Sequence, residues 1–170
     1  YSGFVLEEKQ KEAVVKSLVL PFLILTGGPG TGKTTTIISI VKALIEQGRK
    51  DGRKLRIALC APTGRAANRI EEMAEREGLS ESVEQPRTLH SLLRLSSPDN
   101  CFKNGRCLPY DAVIADESSM IDLGMMKALF EALSPETSLI MSGDADQLPS
   151  VEAGAVFSDI LADADDEDHI

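Results

Sequence analysis

Gly27-Gly28-Pro29-Gly30-Thr31-Gly32-Lys33-Thr34 decides how this chain is read. It fits the pattern G-x-x-x-x-G-K-S/T, it follows the apolar run Phe22 to Leu25, and it opens a stretch with helical periodicity. That context gives the pattern its meaning. Glycines let the backbone curl so that successive N–H groups point inward at phosphate oxygens, and the N-terminus of the following helix adds a partial positive charge. Lys33 is placed to reach the β- and γ-phosphates, and the Thr34 hydroxyl to ligate Mg²⁺. The residues expected to line the nucleotide are Gly28, Pro29, Gly30, Thr31, Gly32, Lys33, Thr34 and Thr35, with ATP and Mg²⁺ as the cofactors.

Outward from this loop, short apolar runs alternate with longer helical patterns. Phe22 to Leu25, Leu55 to Cys60, Ala112 to Ala115 and Leu139 to Met141 read as buried strands of a parallel sheet. Between them Ile37, Val41, Leu44 and Ile45 repeat at helical spacing up to Gly48, which reads as a helix C-cap, and Ala66, Ala67, Ile70, Met73 and Ala74 repeat up to Gly78. The alternation predicts an α/β fold with a central, mainly parallel sheet and helices on both faces, its ligands gathered beyond the carboxyl ends of the strands. The stretch from Ser96 to Pro109, rich in Ser, Asn, Gly and Pro, reads as a surface loop.

A loop of this kind needs a carboxylate for the magnesium shell and a base to orient the attacking water. Val113-Ile114-Ala115-Asp116-Glu117 supplies both at the end of an apolar strand: Asp116 for the metal, Glu117 for the water. These motifs imply a nucleoside triphosphatase without separating a motor from a switch or a small-molecule kinase.

The totals bound the reading. At 170 residues the chain suits one ordinary domain. Its net charge of −9 runs against a nucleic-acid partner, but five acidic residues, Asp163, Asp165, Asp166, Glu167 and Asp168, account for more than half of it. Residues 1–162 are expected to form the domain, and 163–170 a solvated acidic tail. Cys60, Cys101 and Cys107, with only His90 and His169 to join them, support neither a disulfide framework nor a zinc site, and a reducing, cytoplasmic setting is expected. No apolar run approaches the roughly 18–20 residues that span a bilayer, so no membrane partner is expected. The basic run Arg49, Lys50, Arg53, Lys54 and Arg56 lies after the first helix, remote from the strand ends, and reads as a solvated turn.

Four further segments separate the possibilities. Ala61-Pro62-Thr63-Gly64-Arg65-Ala66-Ala67, Thr88-Leu89-His90-Ser91-Leu92-Leu93, Asp116-Glu117-Ser118-Ser119-Met120-Ile121-Asp122 and Gly143-Asp144-Ala145-Asp146-Gln147-Leu148-Pro149-Ser150-Val151 resemble helicase motifs Ia, Ib, II and III, in the family's order. Together with Leu6 to Gln10, similar to a Q motif, they resemble the RecD family, the alpha subunits of exodeoxyribonuclease V and their stand-alone relatives within superfamily 1. Pif-type helicases and the helicase parts of conjugative relaxases share related motifs. The resemblance implies a P-loop NTPase of RecA-like fold, the first motor domain of a DNA helicase that moves 5′ to 3′ on single-stranded DNA in recombination and repair.

By the same resemblance, Gln10 would contact the adenine, and Gln147 would sense the γ-phosphate and couple it to the DNA track. Pro62, Thr63, Gly64 and Arg65 would hold a DNA phosphate without reading sequence, with Thr88 and His90 lining the same groove. Such motors work between two RecA-like domains, so a second one in the same parent chain is implied, as are other subunits of a RecBCD-like complex. A DNA-binding ATPase without unwinding would use the same motifs. Met125 and Met126 read as helix packing.

Overall fold

The computed structural model describes residues 6–94, 107–144, 157 and 159–162. The element order is α1 Glu8–Ser17, β1 Phe22–Thr26, α2 Lys33–Lys50, β2 Ile57–Ala61, α3 Gly64–Arg76, β3 Arg87–Thr88, α4 Leu89–Leu92, β4 Ala112–Ala115, a 3₁₀ turn Ser118–Met120, α5 Leu123–Ala132 and β5 Ser138–Gly143. The five strands form one sheet in the order β1-β5-β4-β2-β3, and every pairing is parallel.

Strand alternation divides the core into two layers. Ile57, Leu59, Ala112, Ile114 and Ile140 face a cluster with Ile37, Ile38 and Val41 of α2 and Ala66, Ala67 and Ile70 of α3, against which Ala13 and Val14 of α1 pack. Ala58, Cys60, Val113, Ala115, Leu139 and Met141 face the opposite side, with Leu89 and Leu92 of α4 and Met126 and Leu129 of α5. Helices therefore cover both faces of a parallel sheet, as the alternating pattern predicted. Met125 and Met126 are buried there as packing residues.

Local departures have physical causes. The second strand begins at Ile57 rather than Leu55, and β3 escapes the sequence pattern because two residues carry no periodicity. Gly48 is not a C-cap. α2 continues through it to Lys50, and a Cβ at Gly48 would stand 2.8 Å from Leu55 Cγ and 2.9 Å from the Arg53 carbonyl oxygen. Glycine is there for close approach, and the reversal after the helix uses Gly52, at φ +71°. Gly78, at φ +70°, does follow the end of α3 as expected of a helix-terminating glycine. Most of the Ser96–Pro109 stretch, with Cys101, and all of 163–170 lie outside the described residues.

Candidate active site

β5 runs between β1, which leads into the glycine-rich loop, and β4, which ends at Ala115 and leads into Asp116. The three strand ends thus converge beside the first turn of α2. Gly30 and Gly32 take positive φ, 78° and 77°, a backbone that curls the loop into the helix. A Cβ at Gly28 or Gly30 would meet nothing within 4 Å, so the loop is open at these two positions. Thr31 closes the loop on itself, its hydroxyl donating to the Gly28 carbonyl at 2.8 Å. The Lys33 ammonium donates to the Gly27 carbonyl and, at 2.9 Å, to that of Gly28.

The opposite wall is Asp116 and Glu117. Asp116 is buried, and its Oδ1 accepts the Glu117 backbone N–H at 2.9 Å. Glu117 has φ 53° and ψ 37°, left-handed for a residue with a side chain, where it starts the 3₁₀ turn. Ser118 anchors that turn through its hydroxyl, 2.8 Å from the Ala115 carbonyl oxygen. Backbone strain of this kind clusters where geometry serves function. The Cys60 thiol, on the neighbouring strand, is pushed up to about 12, chiefly by complete burial and secondarily by the Asp116 charge. It is a packing residue, inert as a nucleophile.

Lys33, Thr34, Asp116 and Glu117 line one cleft of about 330 Å³ with Pro29 to Gly32 and Thr35. All the loop residues expected at a nucleotide are there except Gly28, which sits at the loop's entry with its carbonyl held by Lys33. The cleft also takes in residues that the sequence pattern had not singled out for the site: Arg69 and Met73 of α3, Ser119, and Gly143 with Asp144 at the end of β5. The β5 pair could have been found, since the Gly143-Asp144 motif follows an apolar strand. Arg69 could not, because its place depends on how α3 lies against α2.

Gln10 is also brought to the loop, from α1. Its Nε2 donates to the Thr31 carbonyl at 3.1 Å, and its Oε1 accepts the Glu7 N–H at 2.9 Å as part of a capping box. It lines an adjoining cleft of about 360 Å³ that shares Thr31 and Lys33 with the first. Gln147 lies outside the described residues.

The segments read as DNA-facing meet elsewhere. β2 and β3 pair with Ala61 opposite Thr88, so Pro62 to Arg65 and Thr88 to His90 emerge side by side at the edge of the sheet. Thr63 and Thr88 are both helix N-caps, their hydroxyls accepting from Ala66 N and Ser91 N at 3.2 Å each. Gly64, Arg65 and His90 are exposed. Two threonine-capped helix N-termini thus lie side by side at one edge of the sheet. The basic turn Arg49 to Lys54 is exposed and precedes β2, at the opposite end of the sheet.

A phosphate chain and Mg²⁺ fit the donors present. The loop is open at Gly28 and Gly30, Lys33 is held by carbonyls that a phosphate can replace, and the hydroxyl of Thr34 with the carboxylate of Asp116 is an oxygen set suited to a hard cation. No helix among the described residues is long and apolar enough to cross a membrane.

Comparison with known proteins agrees with this geometry. The chain is 44% identical over 167 residues to "RecBCD enzyme subunit RecD" of Mycolicibacterium smegmatis, covering 91% of this chain and 30% of that protein. It is 36% identical over 149 residues to "ATP-dependent RecD2 DNA helicase" of Deinococcus radiodurans, covering 88% of this chain and 19% of that one. The chain thus spans under a third of the length of these relatives. Among solved structures, the Pif1 helicase from Candida albicans superposes with a TM-score of 0.60 at 25% identity, over 89% of this chain and 37% of that one. The family described as AAA domain matches residues 10–153. With that match over most of its length, the RecD-like motifs in order and a RecA-like parallel sheet beneath them, the chain belongs to the AAA domain family and is a RecD-like member of it.

Proposed function

We propose that this chain is the ATP-hydrolysing first motor domain of a DNA helicase or translocase that moves on single-stranded DNA in recombination and repair. One observation carries the reading: Lys33, Thr34, Asp116 and Glu117, drawn from two distant segments, line a single cleft at the ends of parallel strands. The similarity to proteins named as RecD and RecD2 supports the helicase reading over a small-molecule kinase. In this proposal residues 1–162 form the motor domain, 163–170 lie outside it, and the protein works in the cytoplasm.

The roles follow from chemistry. The loop N–H groups and Lys33 bind the β- and γ-phosphates in a site partly shielded from water, where charge-assisted hydrogen bonds are strong. Thr34 and Asp116 would hold Mg²⁺, which neutralises phosphate charge. Glu117, which lines the same cleft from a left-handed backbone, accepts a proton from the attacking water and orients it. Gln10 bears on the adenine side, and Gln147 links the γ-phosphate to the track. Pro62 to Arg65, Thr88 and His90 hold the DNA backbone without base contacts. A second RecA-like domain closes the cleft, and the 170 residues alone hydrolyse ATP poorly. Partner subunits of a RecBCD-like complex belong to the same proposal.

Steady-state ATP hydrolysis by the full-length protein, with and without single-stranded DNA, tests this. Strong stimulation by DNA is expected. DNA-independent turnover, or phosphorylation of a nucleoside or metabolite, would overturn it, and a strand-displacement assay separates unwinding from mere DNA-dependent ATPase activity.

A further inference from the structure

α3 buries Ala66, Ala67, Ile70 and Ala74 against the sheet. On its flank Arg69, Met73 and Glu77 follow at i, i+4 and i+8, one above the other. Glu77 forms an ion pair with Lys42 of α2, and both side chains are largely shielded. α2 and α3 are successive crossovers between parallel strands and run in the same sense. Counting back eight residues on each helix from the Lys42–Glu77 pair, about 12 Å along each axis, leads to Thr34 on α2 and to Arg69 on α3. The helix packing thereby brings Arg69 to the first turn of α2, where it lines the phosphate cleft.

The charge pattern in that cleft is uneven. Its described acidic groups are Asp116, Glu117 and Asp144, and its described cations are Lys33 and Arg69. Lys33 already donates to the carbonyls of Gly27 and Gly28. Arg69 makes no ion pair or hydrogen bond among the described residues, although it borders a cleft holding three carboxylates. A guanidinium presents paired donors in a rigid plane that matches two oxygens of one phosphate.

We propose that Arg69 is a second phosphate-binding cation, supplied from α3 of the same domain, that grips the terminal-phosphate end of a bound nucleoside triphosphate. It bears on that end because the cleft it lines also holds Asp116 and Glu117, the groups read as serving the metal and the attacking water. Arg69 therefore distinguishes triphosphate from diphosphate. The inference rests on the reading of this cleft as the nucleotide site.

The test compares the affinities of the full-length protein for a non-hydrolysable ATP analogue and for ADP, with Mg²⁺ present, in wild type, R69A, R69K and K33A. R69A should weaken the analogue about tenfold, as for loss of one charge-assisted contact, while changing ADP binding by less than about twofold, with R69K in between and an unchanged unfolding midpoint. An unchanged analogue-to-ADP ratio in R69A overturns the proposal. Equal loss of both nucleotides together with a lowered unfolding midpoint overturns it too, since that describes a structural residue. If K33A also leaves both affinities untouched, the reading of the cleft itself fails, a result distinct from failure at Arg69 alone.

Discussion

Replacing Glu117 by glycine and, separately, by glutamine separates the stability of the site from its chemistry. Glu117 stands at φ 53°, ψ 37°, a conformation that costs a residue with a Cβ about 1–2 kcal/mol. Glycine occupies it freely but loses about 0.5–1 kcal/mol through the extra freedom of its unfolded chain. The net expectation is that E117G is more stable than E117Q by up to about 1.5 kcal/mol, at about 2–4 °C in Tm per kcal/mol for a chain of this size. Glutamine keeps the strain and the side-chain length while removing the carboxylate, so the comparison is free of the charge change that both share. Thermal unfolding of the 170-residue chain reads the stability difference, and ATP hydrolysis by the full-length protein reads the chemistry. Both variants should bind ATP and both should lose turnover by about 10²–10⁴-fold, the contribution typical of a positioned general base. The reasoning is refuted if the glycine variant melts below the glutamine variant, or if E117Q hydrolyses ATP at a rate near wild type.

Three further outcomes are expected. K33A removes a cation that bridges loop and phosphate, and nucleotide affinity should fall about 10–150-fold, from about 1.5–3 kcal/mol for hydrogen bonds to a charged group; unchanged affinity by titration calorimetry would sink the phosphate-loop assignment. G48A gains about 1 kcal/mol of helix propensity but drives a Cβ to 2.8 Å from Leu55 Cγ and 2.9 Å from a backbone oxygen, and overpacking of that kind costs about 1–3 kcal/mol; a urea midpoint at or below wild type is expected, and a clear rise would contradict it. At the other end of the sheet the Glu84 carboxyl is held below its ordinary value, first by the hydrogen bond from Tyr110 and then by Arg56 and Arg87, while the Tyr110 hydroxyl is raised, first by burial and then by Glu84. The carboxylate's stabilisation is complete above its unfolded pKa, about 4.3, and is lost as pH falls through the lowered folded value; that of Tyr110 is complete below about 10 and lost as pH rises through its raised value. E84Q should flatten the acid limb of a Tm-against-pH curve relative to wild type, and an acid limb of undiminished slope would remove Glu84 from the account.

How much was legible in advance depended on the range of the interaction. The sequence by itself determined the loop from Gly27 to Thr34, the acidic pair at a strand end and the α/β layering, because each is written in local chemistry: glycines where the backbone must curl, two carboxylates after four apolar residues, and alternation of apolar runs with helical periods. Gly78 ended its helix as composition foretold, whereas Gly48 did not, because its reason lies in the side chain of Leu55 and the carbonyl of Arg53 folding back over the helix. β3 was invisible because two residues cannot show a period, and it is a strand only because Cys60 and Ala61 are there to pair with. Only the tertiary structure decided which strand lies between the loop and the acids, the left-handed backbone at Glu117, and the presence of Arg69 in the cleft with Lys33 and Asp116. Sheet order and helix-to-helix register are set by packing between segments far apart in the chain, and no local pattern in either partner encodes them.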